Sequence, residues 1–145
     1  MNEDKKYDCL KLDNQLCFPM YAASRKIVKT YTPFLKPLGL TYTQYITLMV
    51  LWEEKEVKIK DLGEKLYLDT GTLTPLLKKM EDAGLLTRKR SAEDERVVNV
   101  TITEKGMALR EKCLDIPKKI GGCVCLDRAD IDALYRSLYA ILDEK

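Results

Sequence analysis

Asp69-Thr70-Gly71-Thr72-Leu73-Thr74-Pro75-Leu76-Leu77-Lys78-Lys79-Met80-Glu81, followed by Gly84-Leu85-Leu86-Thr87-Arg88-Lys89-Arg90, is the stretch on which the fold turns. Leu73, Leu76, Leu77 and Met80 recur at three- and four-residue steps, the spacing of one buried helix face. Thr70, Thr72 and Thr74 lie opposite that face, with Lys78 and Lys79 further along. Gly84 predicts the C-terminal stop. Proline fits a helix best in its first turn, so Pro75 places the N-cap near Thr72 or a bend at the proline itself. Past Gly84 the period shortens. Leu86–Arg90 and Val97–Ile102 read as two strands, with Val98, Val100 and Ile102 on one face and the charged 91–95 stretch as the hairpin tip.

Upstream, Ile59 to Tyr67 reads as a short helix with Ile59, Leu62 and Leu66 inward. Thr43 is the expected N-cap of a helix carrying Ile46, Met49, Val50 and Trp52. Leu12, Leu16, Met20, Ala23, Ile27 and Tyr31 mark a first helix that ends near the Thr32-Pro33 and Lys36-Pro37 breakers, before a turn at Gly39. Downstream, Thr103-Glu104-Lys105-Gly106 opens a long helix towards Lys119. Gly121-Gly122 breaks the chain, and Asp127 or Asp130 caps a last helix with the stripe Ile131, Leu134, Leu138 and Ile141. The expected fold class is therefore mainly α with a small β-hairpin wing, a winged helix-turn-helix. The expected organisation is a single domain over 1–145, with the DNA-binding lobe at 43–103. The helical segments 10–38 and 104–145 have apolar stripes without an obvious intrachain partner, which suits a dimer built from the N- and C-terminal helices.

Composition narrows the function classes. The chain has 145 residues, is 46% hydrophobic and 33% charged, and carries a net charge of +2, so only the distribution of charge can speak for a polyanionic partner. No apolar run approaches the roughly 18 residues of a membrane span. The charged N-terminus lacks the apolar core of a signal peptide, which makes the cytoplasm the expected compartment and a membrane role unexpected. There is no histidine, which removes the commonest general base and metal ligand together. No cofactor and no enzymatic activity are expected.

Two constellations carry chemistry. Short hydroxyl side chains at Thr70, Thr72 and Thr74 allow close approach of a helix to base edges, and Lys78 supplies a cation on the same helix. Arg88, Lys89, Arg90 and Arg96 make the hairpin basic, as a wing entering a narrow minor groove requires. Taken singly, these features also describe capping threonines and a solvated strand. Their order and spacing favour double-stranded DNA. The second constellation is thiol. Five cysteines in a reducing compartment do not predict a disulfide framework. Cys9 and Cys113 are expected to be small buried hydrophobes. Cys17 precedes Pro19, and if the helix proper starts there the thiol lies beside a helix N-terminus, whose partial positive charge suits a thiolate. Cys123 and Cys125 flank Val124 after two glycines. Without histidine, this pair is a weak candidate for a soft metal or an arsenical held with a third thiol.

The stretch from Leu66 to Arg90, with Glu93-Asp94-Glu95-Arg96, resembles the MarR family of winged helix-turn-helix regulators, and from about Leu10 to the C-terminus its organic hydroperoxide resistance repressors. Asn14-Gln15-Leu16-Cys17-Phe18 carries the narrower match. The resemblance implies a homodimer whose recognition helices, bearing Asp69, Thr70, Thr72 and Thr74, enter an inverted-repeat operator. It also implies a wing with Arg96 held by Asp94, and a sensing thiol at Cys17, oxidised by an organic hydroperoxide. By the same resemblance, Tyr31 and Tyr42 from the partner subunit hydrogen-bond that thiol. A resolving cysteine falls at Cys123 or Cys125 of the opposite subunit, with Cys123 nearer the expected position. Without one, a low-molecular-weight thiol takes its place. Pro19 departs from the unbroken helix usual after the motif. A repressor answering to a small ligand or metal stays open as the alternative. A thiol peroxidase fits less well, since the pattern lacks alternating strands and helices.

Overall fold

The Asp69 side chain accepts the Thr72 backbone N–H at 2.8 Å and so caps a helix, α5 (Thr70–Asp82), one turn earlier than Pro75 had suggested. The cap is strong enough to seat Thr70 to Thr74 before the proline, and Pro75 lies inside the helix. In the computed structural model, which describes residues 3–143, the other helices are α1 (Glu3–Lys6), α2 (Cys17–Leu35), α3 (Tyr42–Glu54), α4 (Ile59–Leu66), α6 (Glu104–Cys113), α7 (Ile116–Gly121) and α8 (Arg128–Leu142). The strands are β1 (Glu56–Lys58), β2 (Leu86–Arg90) and β3 (Val98–Ile102). The chain divides into two compact units after Leu114.

In the first unit, α3, α4, α5 and a three-stranded antiparallel sheet of order β1-β3-β2 close over one core. Leu48, Leu51, Leu62, Leu73, Leu77, Met80, Leu86 and Val100 are fully buried. Between α4 and α5 the chain turns through Tyr67, whose φ of 53° ends α4 in the left-handed region. After α5, Gly84 at φ 74° reverses the chain into β2. Arg88 pairs with Val100 and Arg90 with Val98 across the hairpin. The expected two-stranded hairpin is thus a sheet of three, because β1 adds to its inner edge with Val57 opposite Val100.

Four further expectations change. The cap of α3 is Thr41, not Thr43: Thr41 accepts the Gln44 N–H while Gln44 Oε1 accepts the Thr41 N–H at 3.0 Å, a reciprocal box. The first helix starts at Cys17 rather than Leu12. Residues 8–14 instead form two 3-10 turns, tied by Asn14 Nδ2 to the Asp8 carbonyl at 2.7 Å and by Gln15 Nε2 to the Cys9 carbonyl at 2.5 Å. Those turns bury no residue, so Cys9 is exposed rather than packed; Cys113 is buried as expected. The long helix from Glu104 towards Lys119 breaks after Cys113, because Pro117 lacks an N–H and its ring would clash with the carbonyl one turn back.

In the second unit, Asp127 caps α8 by accepting the Asp130 N–H at 2.8 Å. None of the residues of α8 is buried, and Ile131, Leu134, Leu138 and Ile141 are 38–51% exposed. The apolar side chains of α2 are open in the same way: only Leu35 is buried, while Phe18, Tyr21, Ile27 and Val28 are exposed. No helix among the described residues is long and apolar enough to cross a membrane.

Candidate nucleic-acid interface and thiol site

A cleft of about 860 Å³ opens between the outer face of α5 and the hairpin. Thr70 and Thr74 line it from the helix, and Arg88, Arg90 and Arg96 from the hairpin side. Lys58 and Lys60 add two cations that the sequence reading had not singled out. Against these five cations stand only Asp61 and Glu81, so the cleft is positive and matches a phosphate backbone. Asp69 is spent on the helix cap and also meets the Thr72 hydroxyl at 3.3 Å, which leaves Thr70 and Thr74 as the hydroxyls turned to the cleft. Lys78 is exposed on the helix but does not line it.

At the tip, Asp94 takes Arg96 in a two-pronged bridge, Nε to Oδ1 at 3.0 Å and Nη2 to Oδ2 at 3.1 Å. It also accepts the Arg96 backbone N–H at 3.0 Å. Arg96 holds the Asp94 carboxyl below its usual range, so the pair stays charged. The Arg96 side chain is still 90% exposed, a held but open guanidinium. Arg90 donates to the Glu95 carbonyl at 3.0 Å and closes the loop beneath it. Arg88 behaves otherwise. Its backbone N–H reaches Glu81 Oε1 at 2.8 Å, and its Nε and Nη2 reach Oε2 at 3.1 and 2.9 Å. Arg88, expected at the DNA surface, lines the cleft while forming a half-buried ion pair between α5 and β2. Glu81 was missed because the partners lie seven residues apart across the Gly84 turn.

Cys17 is exposed and is the first residue of α2, so the thiol sits on the opening turn as the Pro19 reading required. Tyr31 lies 14 residues along the same helix, roughly 21 Å away at the rise of an α-helix. One chain therefore does not bring Cys17 to Tyr31. Tyr31 meets Tyr42 instead, with ring centroids 4.9 Å apart. Tyr45 completes a cluster at 5.8 Å from Tyr31 and 6.5 Å from Tyr42, and rests edge-on against Trp52. Burial raises the pKa of all three phenols, that of Tyr45 to about 12, so they stay protonated and able to donate. Tyr42 and Tyr45, three apart on one helix, were the overlooked signal for that third ring. In the second unit, Cys123 and Cys125 are both exposed on the turn between α7 and α8, and Cys123 Sγ lies 3.4 Å from the Lys119 carbonyl. Among the described residues no group of three or more Cys, Asp or Glu side chains is placed to hold a metal.

The profile of the family described as "Transcriptional regulator SarA/Rot" matches residues 29–113. The chain is 50% identical over 140 residues to the organic hydroperoxide resistance transcriptional regulator of Bacillus subtilis (strain 168), covering 97% of this chain and 95% of that one. The chain belongs to the MarR family of winged-helix regulators. Among solved MarR-type structures it is similar to AbfR, a protein of Staphylococcus epidermidis. The reduced, DNA-bound form of AbfR is 34% identical, with 94% of this chain and 96% of that chain covered and a TM-score of 0.77. Its disulfide form is 33% identical, with 98% and 100% covered and a TM-score of 0.66. This MarR-family chain is a DNA-binding transcription regulator, not an enzyme.

Proposed function

We propose that the protein is a homodimeric repressor that binds an inverted-repeat operator and leaves it when Cys17 is oxidised by an organic hydroperoxide. The observation that carries this reading is the exposed Cys17 thiol on the first turn of α2, in a chain half identical to an organic hydroperoxide resistance regulator. Thr70 and Thr74 face base edges, Arg96 enters the minor groove at the wing tip, and the cleft cations Lys58, Lys60 and Arg90 meet phosphate. The open apolar faces of α2 and α8 form the subunit interface, which also brings the protonated Tyr31 and Tyr42 of the partner subunit to Cys17.

The chemistry balances with the peroxide as oxidant. The Cys17 sulfur attacks the terminal peroxide oxygen, the O–O bond breaks, and the products are a sulfenic acid and an alcohol that keeps the transferred proton. A second thiol then attacks that sulfur, forming a disulfide and releasing water. Cys123 of the partner subunit is the preferred second thiol, followed by Cys125; a low-molecular-weight thiol is the substitute.

A gel shift on the DNA directly upstream of its own gene tests the reading. A retarded band should vanish with cumene hydroperoxide and return with dithiothreitol. Non-reducing gels of the same samples should contain a covalent dimer that is absent from the Cys123→Ser, Cys125→Ser double mutant. Monomer alone, with release intact, removes the intersubunit disulfide and leaves the small-thiol route. Indifference of the band to hydroperoxide contradicts the sensor reading as a whole.

A further inference from the structure

The Glu81–Arg88 pair has no part in the mechanism above, yet, like the Asp94–Arg96 pair, it is closed by three hydrogen bonds. Glu81 lies in the last turn of α5, and Arg88 is the middle residue of β2, an outer strand of the sheet. An outer strand leaves alternate backbone N–H groups without a sheet partner. Glu81 Oε1 takes one of these, the Arg88 N–H, while Oε2 takes both arms of the Arg88 fork. One carboxylate thus holds main chain and side chain of the same wing residue. The helix it extends from carries Thr70 and Thr74, and the strand it holds leads to Arg90 and the Asp94–Arg96 tip.

Electrostatics alone argue against a carboxylate here. Glu81 lines a cleft meant for a polyanion, where a negative charge repels phosphate. Its bonds to Arg88 keep the carboxyl below its usual range, so it carries that charge at neutral pH. Resting on the DNA-binding reading, we propose that Glu81 is a positioning residue for operator recognition: by seating Arg88 it fixes the wing against the recognition helix, so that Arg96 and the threonines reach their grooves together. Arg88 is then part of the protein's frame and not a phosphate ligand.

The sign of one substitution separates this from plain charge. Glu81→Gln removes a negative charge and frees Arg88, so coulombic attraction alone predicts tighter binding to any DNA. Positioning predicts weaker binding to the specific site. Anisotropy of two labelled duplexes reads this out: the DNA upstream of the protein's own gene, and a random sequence of equal length, each titrated from about 50 to 200 mM salt. We expect Glu81→Gln to lose roughly tenfold on the upstream duplex, with random-duplex binding unchanged or tighter. Glu81→Asp keeps the charge but lacks the reach, and should also lose affinity for the upstream duplex alone. Arg88→Gln should weaken that binding without lowering the salt slope. In the Glu81→Gln background, Arg96→Ala should cost less than it does in the wild type, since a misplaced wing has little left to lose. Thermal unfolding of each variant identifies any that has not folded, and Glu81→Gln and Glu81→Asp serve as alternates for each other. Tighter upstream binding by Glu81→Gln, or a salt slope lowered by about one in Arg88→Gln, makes Arg88 a phosphate ligand and overturns the proposal. Unchanged upstream binding in every Glu81 variant overturns it as well. A wild type that binds neither duplex at low salt contradicts the DNA-binding reading instead.

Discussion

A Cβ on Gly106, buried in the first turn of α6, would press on the backbone carbonyl oxygen of Leu85, buried between α5 and β2. The Gly106 carbonyl in turn accepts the Trp52 indole N–H at 2.9 Å, and the Leu85 carbonyl accepts the Thr103 N–H at 3.1 Å, so movement on either side loses a bond. Gly106→Ala should therefore cost about 1–3 kcal/mol as an overpacking change, read from the midpoint of urea unfolding at constant slope; an unchanged midpoint removes the argument. The phenol of Tyr45 gives a pH test. Its pKa is raised from 10.0 to about 12, first by burial and then by its neighbours Tyr31, Cys113 and Tyr42. Below pH 10 the phenol is protonated in both folded and unfolded chains and contributes no pH dependence. As pH rises from about 10 to about 12, the unfolded chain gives up the proton more readily, and stability falls. Tyr45→Phe should flatten that alkaline loss in denaturation curves, and an equally steep loss in the mutant locates the effect elsewhere. At this scale the sequence was legible where a residue acts through its own neighbours, as with Cys17 on its helix turn or Asp94 holding Arg96 two residues on. It was illegible for the Arg88–Glu81 ion pair, which depends on a chain reversal at Gly84, and for Cys9, which lies exposed in a 3-10 turn that buries no residue.

The wing and the recognition helix were legible as elements because their periods differ and Gly84 separates them. What the pattern did not carry was short or interrupted. β1 has only three residues, Glu56 to Lys58, too few for alternation to register. The break between α6 and α7 follows from Pro117, a signal that an otherwise continuous helical pattern concealed. The cap of α5 went to Asp69 because a carboxylate three residues before the Thr72 N–H outweighs one awkward proline. With the wing built on a clamped outer strand, its contribution is local to the tip. Arg96→Ala should weaken operator binding by ~1–3 kcal/mol and leave unfolding unchanged, since the side chain is almost entirely exposed. Full affinity in that variant, measured by anisotropy, takes the wing out of the interface.

For the whole molecule, the open apolar faces of α2 and α8 were visible in the sequence as stripes without partners, and they stay uncovered in the single chain. The separation of Cys17 from Tyr31 along α2 has the same meaning for the thiol: its tyrosine partners come from a second subunit or not at all. In the proposed function, sensing depends on assembly, because oxidation at the head of one α2 would act on an interface that both DNA-binding lobes share. Cys17→Ser isolates this step. Serine keeps the side chain's size and its capacity to hydrogen-bond, but it cannot form a sulfenic acid or a disulfide. The decisive measurement is operator affinity by anisotropy for wild type and Cys17→Ser, each before and after an equimolar organic hydroperoxide. Equal affinities are expected beforehand, then loss of binding in the wild type alone and its recovery with dithiothreitol. A Cys17→Ser protein that hydroperoxide still releases from DNA would contradict the sensing role of Cys17.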